Sequence, residues 1–141
     1  MRSKLFMIWA ATRWLLLMFL IAPGLEAPLV AHSSEPVKPL KVWMGLASWY
    51  GPRFVGRKTA NGEIYDSEAL TAAHPSLPFG SLVRIVDPRT GRHQLVRIND
   101  RGPYQNGREM DLSLASARKL GIDRRGVAWV QFELIEVPER R

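Results

Sequence analysis

The residues best suited to move protons fall in three segments: Glu63 and Asp66 within Ser48–Asp66, His74 within Thr71–Gly80, and Asp100, Glu109 and Asp111 within Asn99–Asp111. Carboxyl groups brought together from separate loops can act as general acid and general base. Each segment is punctuated by glycine or proline, which lets backbone amides and short polar side chains approach a ligand closely. Glu63 follows the turn dipeptide Asn61-Gly62, so it is either a catalytic carboxylate leaving a tight bend or an ordinary surface acid. Asp100 ends an apolar run inside Asn99-Asp-Arg-Gly-Pro103, where a carboxylate either does chemistry or caps the turn. His74 precedes Pro75 in an extended stretch and can orient a carboxylate, donate to a hydroxyl, or serve structure alone. Asp66 reads as a turn residue and Asp111 as a helix cap. Trp49, Tyr50, Phe54 and Tyr104 are the aromatics of these loops, a candidate platform for sugar rings.

Other chemistries are excluded by residue type. The chain has no cysteine, so disulfides, thiolate metal sites, a thiol nucleophile and a cysteine-borne lipid anchor are all ruled out. No His-Glu-x-x-His, phosphate-cradling loop or Gly-x-Ser-x-Gly elbow occurs. The other histidines, His32 and His93, stand apart without the clustered ligands that zinc requires. No metal and no cofactor is expected.

The elements that must hold these loops are mostly strands. From Val42 onward short apolar runs alternate with glycine and proline, the texture of a small β domain. Gly45–Tyr50 reads as a first strand. Leu82–Val86 and Gln94–Ile98 flank Asp87-Pro-Arg-Thr-Gly91 as a hairpin. One helix follows, capped by Asp111 or Ser113, with Leu114, Ala117 and Leu120 on one face and Gly121 at its end. A last strand, Val127–Val137, is apolar enough to cross the core.

Before the domain lie Arg2 and Lys4, an apolar stretch broken by Arg13, the run Trp14–Ala22, and then Pro23-Gly24. This is the anatomy of an export signal over residues 1–31, with cleavage after Ala31 favoured, or of an uncleaved anchor. Residues 32–41 form a polar tether and 42–138 the domain. The formal net charge is +7, and losing Arg2, Lys4, Arg13 and Glu26 leaves the remainder clearly basic. Its partner is therefore expected to be anionic, the alternative being that the charge serves solubility alone. Nucleic acid is disfavoured, because export removes the chain from it and no Arg- and Lys-rich recognition helix is present.

Six motifs carry a specific resemblance: Ala47-Ser-Trp-Tyr-Gly51, Phe54-Val-Gly-Arg-Lys-Thr-Ala-Asn-Gly-Glu63, Leu70-Thr-Ala-Ala-His74, Leu77-Pro-Phe-Gly80, Val96-Arg-Ile-Asn-Asp-Arg-Gly-Pro103 and Met110-Asp-Leu-Ser113. In this order they resemble the rare lipoprotein A family over Val42 to about Val137. The resemblance implies a mainly β fold, a six-stranded double-psi β-barrel with one short helix. It also implies endolytic, septal peptidoglycan lytic transglycosylase activity on the β-1,4 bond between N-acetylmuramic acid and N-acetylglucosamine, closing a 1,6-anhydro ring. It puts Glu63, His74 and Asp100 at the positions assigned to activity.

On that basis Asp100 is expected to be the acid and base if Arg101 points away, and Glu63 the acid otherwise. Trp49, Tyr50, Arg101, Tyr104 and Asp111 are expected to bind substrate. The partner implied is the peptidoglycan glycan strand, met by a monomer in the periplasm or cell envelope. With no lipobox cysteine and no C-terminal peptidoglycan-binding repeat, the chain is expected to be soluble there or held by its signal helix. The alternative is an expansin-like wall binder that cleaves nothing.

Overall fold

The computed structural model describes residues 37–105 and 107–139. The signal segment 1–31 and residues 32–36 of the 32–41 tether lie outside the described residues. Six strands form the domain: β1 Lys41–Trp49, β2 Thr71–Ala73, β3 Leu82–Val86, β4 His93–Asp100, β5 Arg108–Leu112 and β6 Val127–Glu136. They close into a barrel in the order β1-β5-β2-β4-β3-β6, with β1–β5 and β2–β4 parallel and every other pair antiparallel. Closure leaves no open sheet edge. This is the double-psi barrel that the motifs imply.

Alternation along the strands fills the interior. Ala47, Ala72, Val83, Ile85, Val96, Ile98, Met110, Leu112, Val130 and Phe132 point inward and are buried. The helix α1, Leu114–Leu120, adds Ala117 and Leu120 to this core, with Ile122 just beyond it. The expected hairpin forms, and its turn is fixed by Asp87, which is fully buried. Burial works against the Asp87 charge, but the Arg89 amide at 2.9 Å and the Arg125 guanidinium at 2.6 Å outweigh it and hold the carboxyl below its ordinary range.

Three expectations change. Thr71–Ala73 and Arg108–Leu112 read as loop from sequence but are β2 and β5, a three-residue strand and a charged strand held by neighbours on both sides. The last strand crosses the core as expected, but with one face only: Val130 and Phe132 face the core, whereas Val127 and Trp129 are exposed. Finally, Asp111 lies in β5 and does not cap α1. Ser113 does, its Oγ accepting the Ser116 amide at 3.3 Å. Ser113→Ala is therefore expected to lower stability by about 1 kcal/mol in chemical denaturation, with the activity of the native protein unchanged.

Candidate active site

A cleft of about 590 Å³ opens beside the C-terminal ends of β1 and β4, between the 52–58 loop and the 101–105 loop. Asp100 stands at its base. Two residues on, Gly102 has φ +123°, a conformation that side-chain-bearing residues rarely adopt, and it turns the chain away from β4. The Asp100 carboxylate is held from three sides. Oδ1 accepts the amides of Ala60 and Arg101, each at 2.8 Å, and Oδ2 accepts the Tyr50 hydroxyl at 2.8 Å. A carboxylate offers about four lone-pair positions, so Oδ2 retains one for a ligand.

Tyr50 is placed to keep its proton. Burial pushes the phenol far above its ordinary range, and the hydrogen bond to Asp100 with the charges of Asp100 and Asp111 pushes it further. Its ring packs on Tyr65, with centroids 4.8 Å apart, and on Phe54 at 5.6 Å. Trp49 both packs against the core and lines the cleft. Tyr104 lies at the mouth, largely exposed.

Asp111 is the second carboxylate of the cleft. It accepts the Ser48 hydroxyl and pairs with Arg108 at 3.8 Å. Arg101 does not turn onto the Asp100 carboxylate. Its Nη1 donates to the carbonyls of Leu77 at 3.0 Å and His74 at 3.3 Å, and its guanidinium lies 3.7 Å from the Phe79 ring centroid.

Glu63 and His74 are not among the residues lining the cleft. Glu63 takes both ends of the Arg97 guanidinium, at 2.8 and 2.9 Å, and the Asn99 amide at 3.0 Å. Arg97 foremost, then Asn99, hold its carboxyl at about 2 against a small opposing effect of burial. Glu63 is thus an anion at any pH near neutrality. Its contribution to stability is full above the ordinary glutamate range and fades as pH falls toward 2. The turn it closes, with Thr59 N–H donating to the Glu63 carbonyl at 2.8 Å, is the one that presents the Ala60 amide to Asp100.

His74 is buried, and its Nδ1 accepts the amides of Ser76 at 3.1 Å and Leu77 at 3.0 Å. Its own amide donates to the Asp100 carbonyl at 3.2 Å. Burial first, then the charges of Arg101 and Lys41, lower its pKa to about 4, so the ring is neutral at pH 7. The folded state then binds fewer protons than the unfolded state between pH 4 and 6.5, and stability falls as pH drops through that window. Chemical unfolding is expected to show a loss of about 2 kcal/mol between pH 7 and pH 5. His74→Asn, which keeps an acceptor for the two amides, should flatten that dependence.

Sequence reasoning did not single out Ser48, Arg53, Arg57, Lys58 or Arg108, all but Ser48 of them lining the cleft. The three cations of the 52–58 loop were legible as a basic cluster. Arg53 and Arg57 lie 5.1 and 6.0 Å from the Phe54 ring centroid, and among the described residues no ion pair involves them or Lys58. The cleft thus joins a cradled carboxylate, an aromatic wall and a cationic rim, a combination suited to acid-base work on an anionic carbohydrate. No group of side chains that could hold a metal occurs among the described residues, nor does any helix long and apolar enough to cross a membrane.

Residues 43–132 match the family model described as lytic transglycolase. The probable endolytic peptidoglycan transglycosylase RlpA of Synechocystis is 52% identical over 92 residues, which are 65% of this chain and 29% of that protein. The endolytic peptidoglycan transglycosylase RlpA of Vibrio cholerae is 50% identical over 93 residues, 66% of this chain and 35% of that protein. The chain spans about a third of the length of the curated relatives it matches. Two solved structures share the fold. Streptomyces papain inhibitor has a TM-score of 0.58 at 22% identity, over 72% of this chain and all of that one. Apo expansin of Clavibacter michiganensis has 0.55 at 16%, over 71% and 53%.

Proposed function

Because the chain belongs to the lytic transglycolase family, we propose that its barrel cleaves peptidoglycan glycan strands in the cell envelope without consuming water. The observation that supports this most directly is the Asp100 carboxylate, cradled by two amides and one phenol in a cleft with a cationic rim. Curated relatives named as endolytic peptidoglycan transglycosylases agree with it.

In the proposed reaction the Asp100 carboxyl, through Oδ2, gives its proton to the oxygen linking N-acetylmuramic acid to N-acetylglucosamine. The bond from muramic C1 to that oxygen breaks, and positive charge builds at C1. The departing N-acetylglucosamine carries the proton away as its new 4-hydroxyl. Asp100, now a carboxylate, takes the proton of the muramic C6 hydroxyl as O6 bonds to C1, closing the 1,6-anhydro ring and restoring the acid. One residue serves in both directions because the proton given in the first half is recovered in the second. The attacking hydroxyl is already part of the substrate, so no second reactant has to be ordered.

The remaining groups prepare this step. Tyr50 fixes the Asp100 side chain and leaves one position of Oδ2 free for the substrate. Asp111, anchored by Ser48 and Arg108, lies on the same cleft, where its charge favours the developing cation. Glu63 acts through the Ala60 turn and His74 through the 74–77 turn, both as positioning residues. Arg53, Arg57 and Lys58 favour a ligand bearing carboxylates, as muramic acid and its peptides do.

Incubation of the protein with isolated sacculi tests the proposal, with released muropeptide and glycan measured beside retained protein. Release supports cleavage. Binding without release would favour the expansin-like reading, which the shared fold alone would allow.

A further inference from the structure

We propose that the outer face of β1 and β6, centred on Trp129, is a remote subsite for the glycan strand that leaves the cleft. This rests on the reading of the cleft given above and extends it to a surface that the reaction itself does not use.

Trp129 is 56% exposed although it is paired with Leu46 of β1 within β6. An isolated exposed apolar residue is ordinary, but this one belongs to a patch. Met44 is 40% exposed, Val42 51% and Val127 43%, and all share the outer face with Leu46. A contiguous apolar surface of this kind on a soluble domain marks a place where something binds.

The register shows where the patch leads. Trp129 is paired with Leu46, and Leu46 with Arg108 of β5, the last pair before the β1–β5 register shifts by one residue. Residues paired across neighbouring strands project from the same face of the sheet. Arg108 lines the cleft and holds Asp111. The row Trp129, Leu46, Arg108 therefore runs from open surface to the cleft wall over two strand spacings, about 10 Å, a stretch that one disaccharide repeat spans. The next row, Val127, Ser48, Asp111, ends in the cleft as well.

The chemistry of the patch fits a saccharide. Trp129 supplies a flat indole on which the C–H face of a sugar ring can stack. Beyond it on the same face come Gln131 and then Glu133, the latter accepting from Gln131 at 2.6 Å and from Arg84 Nε at 2.6 Å. Glu133 is buried and both its oxygens are engaged, so it holds Gln131 and the partly exposed Arg84 in place, and these amide and guanidinium groups suit the hydroxyl and acetamido edges of the ring. An aromatic floor with polar groups along one side, continuous with a carbohydrate cleft, commits the occupant to the same glycan strand and to the sugars beyond the scissile bond.

The test compares glycan strands of many repeats with a tetrasaccharide too short to extend from the cleft to Trp129, using the full chain. Trp129→Ala is expected to raise KM on long strands about three- to tenfold with kcat unchanged, so that its KM rises toward that for the tetrasaccharide. Trp129→Phe, which restores an aromatic ring, should recover most of the loss. Equal KM for wild type and Trp129→Ala on long strands would overturn the proposal. So would a wild-type dimer that Trp129→Ala dissociates in sedimentation, because the patch would then be covered by a second copy. If the wild type cleaves neither substrate, the reading of the cleft fails and the subsite is judged by binding alone. A shift of the Trp129 indole N–H resonance with uncleaved long strands, and none with the tetrasaccharide, would then sustain it, whereas no shift would sink it.

Discussion

Asp100→Asn is expected to lower the rate of glycan cleavage by about 10²- to 10⁴-fold, the range that a general acid-base residue supplies, while binding to sacculi persists. The substitution is nearly isosteric. The asparagine oxygen can still accept the Ala60 and Arg101 amides that Oδ1 accepts, and the Tyr50 hydroxyl can rotate to accept from the new amide instead of donating. The local structure is thus retained and only the exchangeable proton is lost. Steady-state cleavage, measured beside unfolding by denaturant, separates the two effects. A rate within tenfold of wild type would remove Asp100 from the role assigned to it.

Glu63→Gln is expected to lower cleavage by about 10- to 100-fold for a different reason. Glu63 is ion-paired with Arg97, the two side chains being 42% and 40% exposed, so breaking the pair should cost under about 1 kcal/mol of stability. The larger consequence is positional. One amide oxygen cannot keep both the two-ended Arg97 contact and the Asn99 bond, so the 59–63 turn is held less tightly to β4 and the Ala60 amide can drift from Asp100. A displacement of about 1 Å at a catalytic group can cost 100-fold in rate. The pH dependence distinguishes positioning from proton transfer. In Glu63→Gln the profile should keep its shape at reduced height, whereas in Asp100→Asn the acid-base limb should vanish. The opposite pattern would make Glu63 the acid, contrary to a carboxyl held at about 2 by Arg97.

How much of this was legible in the chain depended on the range of the interaction. The hairpin around Asp87 and the helix ending at Gly121 rest on local rules of turn and cap, and both formed as expected. The strands β2 and β5 did not show, because Thr-Ala-Ala is too short to display a period and Arg-Glu-Met-Asp-Leu carries three charges. Each exists because parallel and antiparallel neighbours supply its hydrogen bonds. The run Val127–Leu134 hid its own alternation, since apolar residues occupy both the buried positions and the exposed ones at Val127 and Trp129. At the site, Asp100 was visible from its strand end and its Gly-Pro turn. Its partners Tyr50 and Ala60 lie 50 and 40 residues away and follow from barrel closure, as does the pairing of Glu63 with Arg97. The cap was a choice between two adequate residues two positions apart, and the extension of β5 through Leu112 decided it for Ser113.

The most direct test of the central claim is the chemical form of the ends produced. Purified protein is incubated with glycan strands, and the soluble products are separated and weighed by mass spectrometry. Closure by the muramic C6 hydroxyl predicts products ending in 1,6-anhydro-N-acetylmuramic acid, each lighter by one water than the corresponding reducing sugar and resistant to borohydride. Reducing N-acetylmuramic ends, formed with uptake of water, would contradict the account and make the protein a hydrolase.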